Sequence, residues 1–181
     1  SKPQQMGACV IDMGEGVRSC THETSEQCVS SGGEPHPGLL CSHPDIAVCS
    51  MTKSTTCVEG KREVYYIDSC RNVANVYDAN KIDDVLYWSY FSGVEGVEAD
   101  VGDGEGNVES PEYGMCDYLQ GSTCAEYDRS IDGMGNAPEY GNNICRDLSC
   151  KTGPFVDKFK KDFGRNPEHG EDWCSEPISN F

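Results

Sequence analysis

Twelve cysteines constrain this chain more than any other feature: Cys9, Cys20, Cys28, Cys41, Cys49, Cys57, Cys70, Cys116, Cys124, Cys145, Cys150 and Cys174. The count is even, and C-x-x-C occurs nowhere. That absence removes the thioredoxin-type redox motif, c-type haem attachment and the common zinc knuckles together. Reduced cytosolic proteins rarely keep so many thiols, so the cysteines are expected to pair as disulfides in an oxidising, extracellular setting. A thiolate metal site is the rival use of the same residues. Hydrophobic residues make up only 36% of the 181 positions, with 20 glycines and 9 prolines. A core this thin gains from covalent staples, each contributing about 2–4 kcal/mol.

Parity suggests an organisation. Cysteines 9 to 57 and 70 to 174 form two equal sets, so a boundary near residues 58–62 would let each half pair internally. The pairing itself does not follow from spacing. The expected division is a flexible polar arm at 1–8, an N-terminal cysteine-rich module at 9–58 and a C-terminal cysteine-rich, β-rich module at 59–181. The seven-residue interval between several cysteine pairs reads as loop spacing, because the intervening residues differ.

Local patterns fill in the elements. Residues 9–57 read as turns stapled by disulfides, with SSGGEPHPG as a loop. Residues 63–78 predict strand, turn, strand, with Val64 and Tyr66 before the turn at 69–72 and Val73, Val76 and Tyr77 after it. In KIDDVLYWSYF (81–91), Ile82, Val85, Leu86 and Tyr90 have helical spacing, yet the aromatics favour strand equally. PFVDKFKKDF (154–163) predicts a short helix packed on the core. Pro154 suits its first turn, Phe155, Phe159 and Phe163 form a stripe, and Gly164 supplies a stop. The fold class expected is small, disulfide-rich and β-rich (mixed), with that short C-terminal helix.

The formal net charge is −17. A strongly anionic chain is a poor partner for nucleic acid, which needs a basic face. No apolar run is long enough for a transmembrane segment. The opening SKPQQMGACV lacks the apolar centre of a signal peptide, so the chain is expected to be mature material or an excised ectodomain. Charge is concentrated in residues 64–141, which hold 3 basic and 16 acidic residues. This pattern fits either a solvated anionic surface or cation binding.

The candidate cation site is the loop EADVGDGEGN, where Asp100, Asp103, Glu105 and Asn107 offer hard oxygen ligands separated by glycines. Such a flexible loop is what Ca²⁺ requires, although this one lacks the EF-hand spacing. Glu126, Asp128, Asp132 and Glu139 form a weaker second acidic cluster. His22, His36, His43 and His169 include no i, i+4 pair, and they read as loop surface ahead of a transition-metal site. The compact His169-Gly-Glu-Asp-Trp173-Cys174 segment is better explained by Trp173 covering a disulfide than by catalysis. There is no G-x-S-x-G, H-E-x-x-H or P-loop, and no N-glycosylation sequon. The chain is therefore expected not to be an enzyme.

Two stretches carry a resemblance. GACVIDMGEGVRSCTHETSEQCVSSGGEPHPGLLCS resembles a cysteine module of bacterial and archaeal exported proteins, matched at Cys9, Cys20, Cys28, Gly32, Gly33 and Cys41. That module usually opens with two adjacent cysteines, whereas here Val10 follows Cys9. EVYYIDSCRNVANVYDANKIDDVLYW, CDYLQGSTC, YGNNICRDLSC and EHGEDWC, in that order, are similar to cysteine-rich surface proteins of small-genome (DPANN-type) archaea. Together the two likenesses touch most of residues 7–174. They imply location and no activity: an exported protein at the cell surface. Members of this group often continue past the Trp-Cys segment, which leaves room for a C-terminal anchor or domain.

The leading expectation is thus an extracellular structural or adhesive protein. It would be a subunit of a cell-surface assembly, such as a filament, that self-associates or binds another surface protein. Lacking the long apolar helix of a type IV pilin, it would assemble by strand addition or by side-to-side contacts. The alternative is a monomeric, calcium-dependent module recognising a glycan or host surface. A secreted hydrolase using paired carboxylates comes third.

Overall fold

Antiparallel strands β1 (Met6–Gly14) and β2 (Val17–Thr24) form a hairpin in which Cys9 faces Thr21 and Val10 faces Cys20. Its tip turns through Gly14, Glu15 and Gly16, all at positive φ. The computed structural model describes residues 5–91, 107–149 and 154–170. Strand β3 (Glu34–Pro37) pairs with the other side of β1, giving a sheet of order β2-β1-β3. Helix α1 (Ser25–Ser30) follows β2 directly. A capping box starts it: the Gln27 N–H donates to Thr24 Oγ1, and the Thr24 N–H donates to Gln27 Oε1, satisfying two otherwise orphaned amides.

Both faces of β1 are covered. Ala8 and Val10 pack with Cys20, Cys41, Ile46 and Cys49 in a small core. On the opposite face Cys9 bridges to Cys28 of α1. Gly33 lies against that bridge so closely that an added Cβ would sit 2.4 Å from the Cys9 sulfur. Cysteine and glycine are therefore both required where helix meets sheet.

The second sheet has the order β4-β5-β6, from β4 (Ser54–Cys57), β5 (Val64–Ile67) and β6 (Val73–Val76). The strand–turn–strand reading of 63–78 thus matches the structure. Val64 and Tyr66 enter the main core with Ala74, Tyr77, Ile82, Tyr87, Trp88, Cys116 and Cys145. Leu40 joins them from the first sheet's side, with its N–H bonded to Ser89 O at 2.8 Å. The buried phenols are satisfied by backbone carbonyls: Tyr66 donates to Asp78, Tyr77 to Pro111 and Tyr87 to Val76. Burial holds Tyr77 at a pKa of about 12 and pushes Tyr66 further still.

Residues 81–91 form neither of the two elements weighed for them. After one turn of 3-10 helix (Ala79–Lys81) the chain proceeds by turns. Backbone bonds such as Trp88 N–H to Asp84 O hold some of these turns, and side chains add others. Asn75 Nδ2 donates to Tyr87 O and Tyr90 O at 2.6 and 2.7 Å, and Trp88 Nε1 donates to Ile82 O. Asp84 Oδ1 accepts from the Leu86 and Tyr87 amides.

Strands β7 (Ser122–Glu126) and β8 (Asn143–Asp147) form a third sheet, with Cys124 directly opposite Cys145. Each bonds elsewhere, Cys124 to Cys57 and Cys145 to Cys116. Helix α2 (Arg129–Asp132) lies between these strands in sequence. Helix α3 (Pro154–Phe163) has the expected bounds, and Gly164 at φ 72° ends it with an N–H bond to Lys160 O. Val156 and Phe159 are buried, whereas Phe163 is exposed and stacks on Phe159 at 4.6 Å. No helix among the described residues is long and apolar enough to cross a membrane.

The molecule is small, disulfide-rich and β-rich, as its composition implies. Three expectations need correcting. Residues 9–57 hold four strands and a helix rather than turns alone. Met6, Gly7 and Ala8, assigned to a flexible arm, open β1. The cysteine sets on either side of 58–62 do not pair internally, because Cys49–Cys70 and Cys57–Cys124 both cross that point. Counting could not reveal this, since β4 and β5 lie on opposite sides of the boundary yet pair strand to strand. Five disulfides lie among the described residues; Cys150 and Cys174 lie outside them.

Candidate functional site

Among the described residues, the side chains grouped closely enough to share an ion lie where the first two sheets meet. Cys20, on β2, bridges to Cys41, and Cys49 bridges to Cys70 in the β5–β6 turn. The sulfurs of Cys20, Cys41 and Cys49 lie within 4.8 Å of one another. Those of Cys49 and Cys70 lie equally close to a carboxylate oxygen of Asp68. Asp68 is buried and organises the turn: Oδ1 accepts from the Cys70 and Asn72 amides, each at 2.9 Å. Arg71 between them adopts φ 68°. Asn72 Nδ2 donates to Asp68 Oδ2 and, at 3.0 Å, to the Cys20 carbonyl, tying the turn to β2.

His22 borders this cluster. Its Nε2 accepts the Cys41 N–H at 3.2 Å, and its ring lies 4.7 Å from that of Phe91. Burial lowers its pKa from 6.5, opposed by the charge of Asp68 and a hydrogen bond with the Val73 backbone. The neutral ring is the one that can accept from Cys41. Below about pH 6.5 the unfolded chain binds a proton that the folded chain resists. His22 thus favours the fold above that pH, and its contribution falls as pH drops toward the depressed folded value. The slope from one such group is at most about 1.4 kcal/mol per pH unit. Urea unfolding between pH 8 and pH 5 is expected to show a shallower acid decline in His22→Gln than in the native chain; equal slopes would remove His22 as the cause.

Within the second acidic cluster, Asp128 and Asp132 are committed to internal partners. Asp128 caps α2 through the Ser130 amide at 2.8 Å and accepts the Ser130 hydroxyl at 2.6 Å; the hydroxyl bond first, and then the amide bond, lower its pKa. The Asp132 side chain is fully buried. Arg146 of β8 grips it in a bidentate pair, Nε to Oδ1 at 2.8 Å and a terminal nitrogen to Oδ2 at 3.0 Å. The Asp128 N–H adds a bond to Oδ2 at 2.8 Å, and Arg146 also donates to the Glu126 carbonyl. Glu139 lies beside the Tyr140 hydroxyl, whose pKa its charge raises. The run Asp128-x-Ser130-x-Asp132-Gly133 followed six residues later by Glu139 has calcium-loop spacing, with Ser130 at a position usually Asp or Asn. Here a guanidinium holds the Asp132 oxygens that such a loop would turn to its ion.

Of the predicted calcium loop, Asp100, Asp103 and Glu105 lie outside the described residues. Asn107 lies within them; it is half-buried, with its N–H bonded to Met115 O at 3.1 Å. The histidines do not converge. His36 lies 3.7 Å from Glu34, and His43 accepts the Asp45 N–H and lies 3.3 Å from the Tyr90 hydroxyl. His169 meets Tyr118 edge-on at 4.5 Å, while Trp173 and Cys174 lie outside the described residues. Among the described residues, the triads of potential metal donors are both built on disulfide sulfurs, which carry no thiolate charge. Sequence reading missed Asp68, Asn72 and Arg146. The first two were legible as a local turn motif, an Asp whose carboxylate caps amides two and four residues on.

Set against family models, curated proteins and solved structures, the chain matches none.

Proposed function

We propose that this chain is an extracellular structural or adhesive protein, a subunit of a cell-surface assembly of filament or array type. The observation supporting this reading is the distribution of the five disulfides, which reach all three sheets and both cores. Such a fold keeps its shape where neither chaperones nor a reducing pool assist it. The net charge of −17 favours solubility before assembly. Edge strand β3 contains Pro35 and Pro37, which lack N–H donors and discourage strand addition there. Side-to-side contacts are the better route, and exposed Met13 and Val17 beside the β1–β2 hairpin tip, with exposed Val85 and Leu86, offer apolar contact points.

Electron microscopy of material sheared from the native cell surface tests the proposal. Ordered assemblies whose density traces this sequence are the expected result. Dispersed monomers alone would overturn it.

A further inference from the structure

The bridges of the described residues fall into two interlocked sets. Cys9–Cys28 overlaps Cys20–Cys41 in sequence, while Cys49–Cys70, Cys57–Cys124 and Cys116–Cys145 overlap in series. None of the five spans residues 42–48. Cys150 and Cys174 both follow this gap, so a bridge between them would not span it either. At the same gap the two sets touch, with the Cys49 sulfur within 4.8 Å of both Cys20 and Cys41. Cys20, Cys41 and Cys49 are buried, whereas Cys70 is exposed.

We propose that Cys20–Cys41 and Cys49–Cys70 form a thiol–disulfide exchange site, entered at Cys70 by an external thiolate and able to join the two covalent sets. The thiolate attacks the Cys70 sulfur, forming a mixed disulfide and releasing Cys49 as a thiolate with the bonding electron pair. Cys49 then attacks Cys20 or Cys41, which breaks that bridge and frees the other sulfur as a thiolate. The freed thiolate attacks the mixed disulfide at Cys70, closing a second new bridge and expelling the external thiolate unchanged. No net oxidation occurs, and the co-reactant, a low-molecular-weight thiol, is catalytic. Either outcome, Cys20–Cys49 with Cys41–Cys70 or Cys41–Cys49 with Cys20–Cys70, places two bridges across residues 42–48.

The test uses the folded, oxidised chain. It is incubated with substoichiometric glutathione at pH 8, quenched with acid, alkylated, digested without reduction and mapped by mass spectrometry. New pairs confined to these four cysteines are expected, with the other three described bridges unchanged. Native pairs plus a Cys70 adduct alone would overturn the proposal, as would scrambling across all bridges. A Cys70→Ser variant leaves Cys49 as the attacking thiol. Without added glutathione its alkylation is expected to spread with time from Cys49 to Cys20 or Cys41. Labelling that stays at Cys49 alone would also overturn the proposal.

Discussion

Replacing Arg146 by Met is expected to destabilise the fold by about 3–5 kcal/mol, because it strands a buried carboxylate without its counter-charge. The Asp132 side chain has no solvent exposure, and Arg146 supplies two of its hydrogen bonds. The Asp128 amide that also holds Asp132 carries no full charge to neutralise it. Denaturant unfolding with disulfides intact measures the loss. A second signature separates this cause from lost packing: the stranded Asp132 would have its pKa raised above the unfolded value. The deficit should therefore shrink as pH falls and Asp132 takes up a proton. A double variant, Arg146→Met with Asp132→Asn, should recover part of the loss at neutral pH. A deficit independent of pH and unrelieved in the double variant would show that the ion pair is not what Arg146 supplies.

Trp88→Ala should be comparably damaging, at about 3–5 kcal/mol, the range for removing a large buried aromatic. Trp88 is 1% exposed, its ring lies 4.7 Å from that of Tyr66, and its indole N–H holds the Ile82 carbonyl. The segment around it has no helix or strand to maintain its course. Protease susceptibility within residues 82–91 should thus rise together with the fall in stability. Trp88→Phe, which keeps most of the apolar volume but not the N–H, should lie between the two. Unfolding midpoints within error of the native chain for Trp88→Ala would mean that the main core is not built around this residue.

Residues around Trp88 also show where sequence reading loses its grip. Their spacing suits a helix and their aromatics suit a strand, yet the backbone turns, bonding partly to itself, as Trp88 N–H to Asp84 O, and partly to the side chains of Asn75 and Asp84. Periodicity does not record the bonds from Asn75, which lies 12 and 15 residues before the carbonyls it holds. Val64 to Val76 was legible because β-branched and aromatic residues flank a polar turn. Helix α3 was legible because proline and glycine bracket a stripe of phenylalanines. Strand β1 was hidden, because with a core on one face and α1 on the other it buries Gly7 through Val10 consecutively and so lacks a strand's alternation. The acidic cluster at 126–139 was visible as charge. Its partner Arg146 was not, because only the β7–β8 pairing brings it to Asp132.

The spacing of the bridges has a consequence for how the chain is made. Cys9–Cys28 and Cys20–Cys41 close over separations of 19 and 21 residues, whereas Cys57–Cys124 spans 67. A chain delivered N-terminus first presents the partners of the first two bridges early, and the hairpin with its adjoining helix holds both cysteines of the first, Cys9 and Cys28. The Cys57 thiol must wait until β7 arrives, and during that wait it lies within reach of the wrong sulfurs. Bridges of short separation can therefore close as soon as both partners have emerged, whereas Cys57–Cys124 has to wait for 67 further residues of chain.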